Sequence, residues 1–260
     1  MKTFKLSIIL LVLLGVISCK KTDGNSAANT VTTDQAADIA AGSLAANSYG
    51  LTTVSDDIAV NAQTLASINT GSQTVNSLGI ATVHQACGTT LTDSITNSGT
   101  NSSVSFSYFL KFARTLNCNT NSQPDNLANN VSYHGNFDGP NLTSTNTGSA
   151  IFTIAGLTTT AANFVVNGEY KRTGSFQSKV GNKTSGQSNV DIVVTNLTLT
   201  KPARKIAGGS ATIVITGSTT KNGDFSYTGT LVFNEDGTAT LTINGNAYTI
   251  NLVTGVRLKR

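Results

Sequence analysis

What this chain lacks narrows its chemistry before any motif does. It has no tryptophan, one methionine, two histidines and three cysteines. His84 and His134 are therefore the whole supply of imidazole for acid–base work or metal ligation. His134 shares a strand face with Asp138, but four residues of extended chain put them roughly 13–14 Å apart, too far to share a metal or a proton. His84 stands just before Cys87 and reads as a polar neighbour of that cysteine. There is no Gly-x-Ser-x-Gly, no phosphate-cradling glycine loop ahead of a helix, no His-Glu-x-x-His and no Cys-x-x-Cys. No catalytic residue, cofactor or metal site is expected on these grounds. Charge is scarce as well: 12% of residues carry it, against about 25% in an average domain. No basic stretch is interleaved with aromatics, so nucleic acid is not expected as a partner. Threonine, asparagine, serine and glycine take the place of the charges, a composition that suits an exported all-β protein.

Long hydrophobic runs are missing too, with one exception. Lys2 and Lys5 precede Ile8-Ile9-Leu10-Leu11-Val12-Leu13-Leu14. That run falls short of the ~20 apolar residues a membrane-spanning helix needs, and its layout is that of a secretory signal. It ends in Val16-Ile17-Ser18-Cys19, which resembles the lipobox of bacterial lipoproteins. The resemblance implies that residues 1–18 are removed, that Cys19 carries diacylglycerol, and that its freed amine is acylated, palmitate being a typical chain. Two or more acyl chains hold a protein stably at a membrane, where one holds it only marginally. Lys20 and Lys21 follow the cysteine. The absence of aspartate there favours the outer membrane, with periplasmic or surface exposure left open.

With Cys19 assigned to lipid, Cys87 and Cys118 remain as an even pair in an oxidising compartment, where a disulfide is the default. Two free thiols or a metal pair are the alternatives; the metal would want further ligands at short spacing. Charge is unevenly spread. Residues 22–170 hold two cations, Lys111 and Arg114, against nine acids, and residues 171–260 hold eleven cations against four acids. A basic half of this kind suits either anionic headgroups or a solvated face.

Residues 19–31 are small and polar and read as a flexible tether. Thr33-Asp34 offers N-cap chemistry ahead of Ala36, Ala37, Ile39, Ala40, Ala41 and Leu44, predicting a helix that ends near Gly50. Ser55-Asp56-Asp57 opens a second helix with Ile58, Ala62 and Leu65 on one face. A short helical hairpin over 32–69 is therefore expected. From 80 to 260 the period is two. Val104, Phe106, Tyr108, Leu110 and Phe112 alternate with polar residues, as do Val131, Tyr133 and Phe137, then Phe164, Val166 and Tyr170, and Phe225, Tyr227, Leu231 and Phe233. Asn222-Gly223, Asp236-Gly237 and Asn244-Gly245 are tight-turn signals between such runs. Apolar parity flips between Val194 and Leu197, which predicts a bulge or bend. The fold class is thus mainly β: an antiparallel meander of about ten strands, as a half-barrel, open barrel or sandwich, after an N-terminal helical pair.

The helical start, Ala86-Cys87-Gly88 with Cys118, the run from Asn167 to Ser175, and Phe225 to Leu231 through Tyr248-Thr249-Ile250 together resemble a group of Bacteroidota lipoproteins with no established activity. Asp93-Ser94-Ile95 matches the short O-glycosylation acceptor pattern of exported proteins in that phylum, which would place a glycan on Ser94. A plain turn or strand edge is the competing reading. The expected function is a lipid-anchored, non-catalytic binding or structural module of the outer membrane. A periplasmic carrier of lipid or another apolar ligand is the first alternative, with Phe106, Tyr108, Phe164 and Phe225 lining an open concavity. A hydrolase of glycan or lipid is the second, and would need two of Asp93, Asp138, Glu169, Asp191 and Asp224 within ~5–10 Å in one cleft. Beyond the membrane, an apolar ligand, an envelope protein or a glycan is left open as partner.

Overall fold

A computed structural model describes residues 31–68, 85–100, 104–220 and 223–260. The signal segment, Cys19, most of the tether and His84 lie outside the described residues. Two helices precede one antiparallel sheet. Helix α1 spans Thr33–Leu44, and a 3-10 turn at Ala46–Ser48 leads into α2, Leu51–Ile68. The strands are β1 Thr90–Thr100, β2 Ser105–Cys118, β3 Pro124–Asp138, β4 Leu142–Ala155, β5 Asn163–Ser178, β6 Ser185–Thr200, β7 Ile206–Thr219, β8 Gly223–Phe233, β9 Thr238–Ile243, β10 Asn246–Asn251 and β11 Arg257–Lys259. Each pairs with its sequence neighbours, and the sheet stays open between β1 and β11. It is a single open antiparallel meander of eleven strands, as expected of the mainly β class.

Helix α1 lies against β4, β5, β6, β7, β9, β10 and β11. Twelve helical residues are about 18 Å long, whereas eight flat strands cover about 34 Å at ~4.8 Å spacing. The sheet must therefore curl around the helix. Its alanines and glycine make this close approach feasible: residues 35–44 are buried on every side. Helices and inner strand faces share one hydrophobic core. The concavity expected of a carrier is thus filled. Tyr108, Phe164 and Phe225 are buried in it, and half-buried Phe106 packs beside Tyr49 and Tyr108.

A chain of tyrosines crosses this core, Tyr49 to Tyr108 to Tyr133 to Tyr170, with centroids 5.3, 6.3 and 5.7 Å apart. Tyr133 reaches over Gly148 of the intervening strand to donate to the Tyr170 hydroxyl at 2.7 Å. A Cβ at Gly148 would sit 2.3 Å from the Tyr133 ring, so only glycine allows the crossing. Buried Arg172 completes the cluster. It donates to Tyr108 Oη, to Ser144 Oγ and to the carbonyls of Gly42 and Ser48. A cation held against the Gly42 carbonyl, in the last turn of α1, satisfies an acceptor that has no helical backbone donor and complements the helix dipole.

The N-cap of α1 is Thr32, one residue before the expected Thr33, in a reciprocal capping box with Gln35. Helix α2 begins at Leu51, four residues before the expected Ser55. Asp56 and Asp57 consequently sit in its second turn and do not cap it. The parity flip is a β-bulge: pairing with β7 shifts between Thr195 and Thr198, and Asn196 takes a left-handed conformation. Cys87 and Cys118 are joined in a disulfide, Cα atoms 5.6 Å apart, which ties the segment entering β1 to the end of β2.

The charge asymmetry is resolved inside the molecule. Arg257 engages buried Asp38 through two nitrogens at 2.7 and 3.1 Å. Lys259 pairs with Asp34, Arg204 with Asp56, and Lys179 with Asp138. The acids come from the first portion and the cations from the second, so much of the basic half serves to hold the helices and β3 to the later strands.

Candidate functional site

At one end of the curled sheet, five chain segments enclose a hollow of about 500 Å³. The bulge in β6 returns Leu197 and Leu199 to the inner face, and Leu199 becomes part of the floor. Ile206, opposite it on β7, is another part, and Leu252 and Val253 of the β10–β11 loop complete it. The wall beside them is Ala46, Thr52 and Thr53, at the entry to α2. The rim is charged: Asp56 from α2, Arg204 and Lys205 from the β6–β7 turn, and Glu235 and Asp236 from the β8–β9 turn.

Backbone hydrogen bonds join these segments. Ala46 N–H donates to the Leu252 carbonyl at 2.8 Å and Asn47 N–H to that of Val253 at 2.9 Å. Leu252 N–H in turn donates to the Gly237 carbonyl at 3.0 Å. Arg204 donates to Asp56 Oδ1 at 2.8 Å and to Gln63 Oε1 at 3.1 Å, so it holds the turn against α2. Asp236 accepts from the backbone and hydroxyl of Thr238, bonds that hold its carboxyl below the usual range. Thr52 buries its Oγ1 without a partner. Such an orphan hydroxyl in the wall of a hollow costs roughly 1–3 kcal/mol of desolvation. An apolar floor with a few convergent polar groups is the general form of a small-molecule site, and its volume falls in the usual ~300–1,000 Å³ range.

The residues singled out by sequence lie elsewhere. Ser94 is exposed in edge strand β1, opposite Lys111, and is not in a turn. His134 is exposed and its ring packs at a tilt against Phe109, centroids 5.3 Å apart. Among the described residues no group of three or more His, Cys, Asp or Glu is placed to hold a metal. Of the five acids considered for hydrolysis, two come together. Lys171 Nζ lies 2.9 Å from Glu169 and 3.8 Å from Asp191, which brings the carboxylates within reach of paired-acid chemistry. They stand on the exposed outer face of β5 and β6 and do not line this hollow. The neighbours of Glu169 come from its own strand, Lys171, and from β6, Asp191. Burial, then the Glu169 charge, raises the Asp191 carboxyl.

No sequence signal pointed to the hollow itself, because its walls are a few residues from each of five separate segments. The parity flip was the one local cue, and it marks the bulge that sets Leu199 in the floor. Comparison with protein-family models, with curated proteins and with solved structures returns no match.

Proposed function

We propose that this chain is a lipid-anchored protein of the cell envelope, tethered to the outer membrane through Cys19, that binds a small amphipathic molecule without transforming it. The anchor rests on Val16-Ile17-Ser18-Cys19. The binding role rests on one observation, the apolar-floored, charge-rimmed hollow between α2 and the β6–β7, β8–β9 and β10–β11 connections. Two of its three acids have structural employment, Asp56 with Arg204 and Asp236 with Thr238, which favours binding over chemistry that needs two free carboxylates. A carrier that shelters an acyl chain within the curled sheet finds that space taken by α1.

Titration with 1-anilinonaphthalene-8-sulfonate, an apolar fluorophore with one anionic group, tests the reading. The expected result is one saturable site that Val253→Arg weakens by about tenfold. Val253 is 55% exposed, so the substitution is compatible with the fold. Val232→Arg, on the outer face, should bind as the parent does. Equal binding by the parent and Val253→Arg would refute the site.

A further inference from the structure

The second large hollow is of a different kind. It occupies about 740 Å³ across strands β2 to β7, near the hairpin ends opposite the first. One cross-strand row runs through it: Ser107, Asn136, Thr145, Ser175, Gln187 and Ser218, each the register partner of the next. These residues alternate along their strands with core residues such as Phe137 and Phe176, so their side chains are on the outer face. The hydroxyls of Ser107, Ser175 and Ser218 and the amides of Gln177 and Gln187 make no hydrogen bond within the described structure, whereas Thr145 donates to Asn136. Among the described residues, the one charged lining residue, Asp138, is neutralised by Lys179. The row is therefore one of free, uncharged donors and acceptors, and Phe106, Phe137 and Phe176 also line the hollow.

Beyond one end of it, outside its lining, stands an aromatic pair. Phe109 and His134 are the next outward pair along β2 and β3, about 7 Å from Ser107 and Asn136 by strand geometry. Phe109 is 37% exposed, and its ring meets that of His134 at a tilt of 34°. It is the only large aromatic among the exposed apolar side chains of the described residues, and no core packing requires it there.

We infer that this groove binds a neutral glycan chain. Hydroxyl and amide side chains match the dense, uncharged hydroxyls of a sugar, and an aromatic face receives the apolar C–H face of a pyranose ring. A charged polymer finds no complementary charge in the row. Six strands span about 24 Å between the outer two at ~4.8 Å spacing, enough for a run of several linked rings. Hydrogen bonds made in open solvent are individually weak, so affinity should rise with chain length as successive rings engage the row.

The test is an array of neutral and anionic oligosaccharides, followed by calorimetry of the best neutral ligand as its hexasaccharide and trisaccharide. A neutral glycan should bind, the longer form more tightly. Phe109→Ala and the double substitution Gln177→Ala/Gln187→Ala should each weaken it by about tenfold. All three positions are exposed, and unchanged urea midpoints would confirm folding. Val253→Arg should bind the glycan as the parent does, which separates this inference from the first site. The inference is overturned if no neutral oligosaccharide binds, if only anionic ones do, or if both folded variants bind as well as the parent.

Discussion

Asp57 offers the sharpest physical test of the fold. It is 7% exposed in α2, and the Tyr49 hydroxyl donates to its Oδ2 at 2.9 Å. Burial pushes its carboxyl up from 3.8 to about 7, with the neighbouring Asp56 adding to the rise and the Tyr49 bond opposing it. A raised folded-state value means that the folded chain holds this proton more tightly than the unfolded chain. The burden is absent below pH 4, grows as pH rises from about 4 to about 7, and is constant above. Three pK units at 1.36 kcal/mol each amount to about 4 kcal/mol, a large share of the ~5–15 kcal/mol of a typical domain. Asp57→Asn keeps an acceptor for Tyr49 and removes the ionisation. Urea unfolding of parent and variant from pH 4 to pH 8 should show curves that coincide near pH 4 and diverge upward for the variant, by up to about 4 kcal/mol at pH 8. Parallel curves, or a variant less stable than the parent at pH 8, would refute the reasoning.

Three further outcomes follow from single residues. Cys19→Ser should abolish incorporation of labelled fatty acid and release the protein from the membrane fraction, whereas equal labelling would remove the anchor from the account. Gly148→Ala should destabilise by about 1–3 kcal/mol, the usual cost of overpacking a filled core, because the new methyl meets the Tyr133 ring and the Lys171 carbonyl; a urea midpoint equal to the parent's would contradict the tyrosine crossing. Thr52→Val replaces the orphan hydroxyl with a methyl of similar size and should raise stability by about 1 kcal/mol, measured in the same way; a loss of stability would show that the hydroxyl is satisfied.

The sheet was legible because its half-buried strands alternate strictly, as in Val104 to Phe112, and because Asn-Gly and Asp-Gly mark their turns. The bulge near Asn196 was legible as a break in that alternation, and the disulfide as the pair left over once Cys19 is assigned. Strand β1 was harder, since Thr90–Thr100 offers only Leu91 and Ile95 as apolar residues and buries neither fully. The setting of α1 was hidden for a physical reason. A helix enclosed by a curled sheet is buried all round, so no one-sided stripe announces it, and its alanines read equally well as an ordinary amphipathic helix. Helix α2 starts early because Leu51 and Val54 are core residues, while the Ser55-Asp56-Asp57 cap signal falls inside it. Asp57 is buried, and Asp56 reaches a turn nearly 150 positions away. Cross-strand partners such as Lys171 with Asp191 depend on register, which alternation alone does not specify.

The most direct measurement for the central claim is native mass spectrometry of the full chain purified from the envelope of its host, with the Val253→Arg variant purified alongside. The account predicts a parent protein beginning at an acylated Cys19 and carrying a small organic molecule that unfolding releases, and a variant with the same acylated N-terminus and no such molecule. A parent without acyl chains on Cys19, or a molecule retained equally by both proteins, would contradict it.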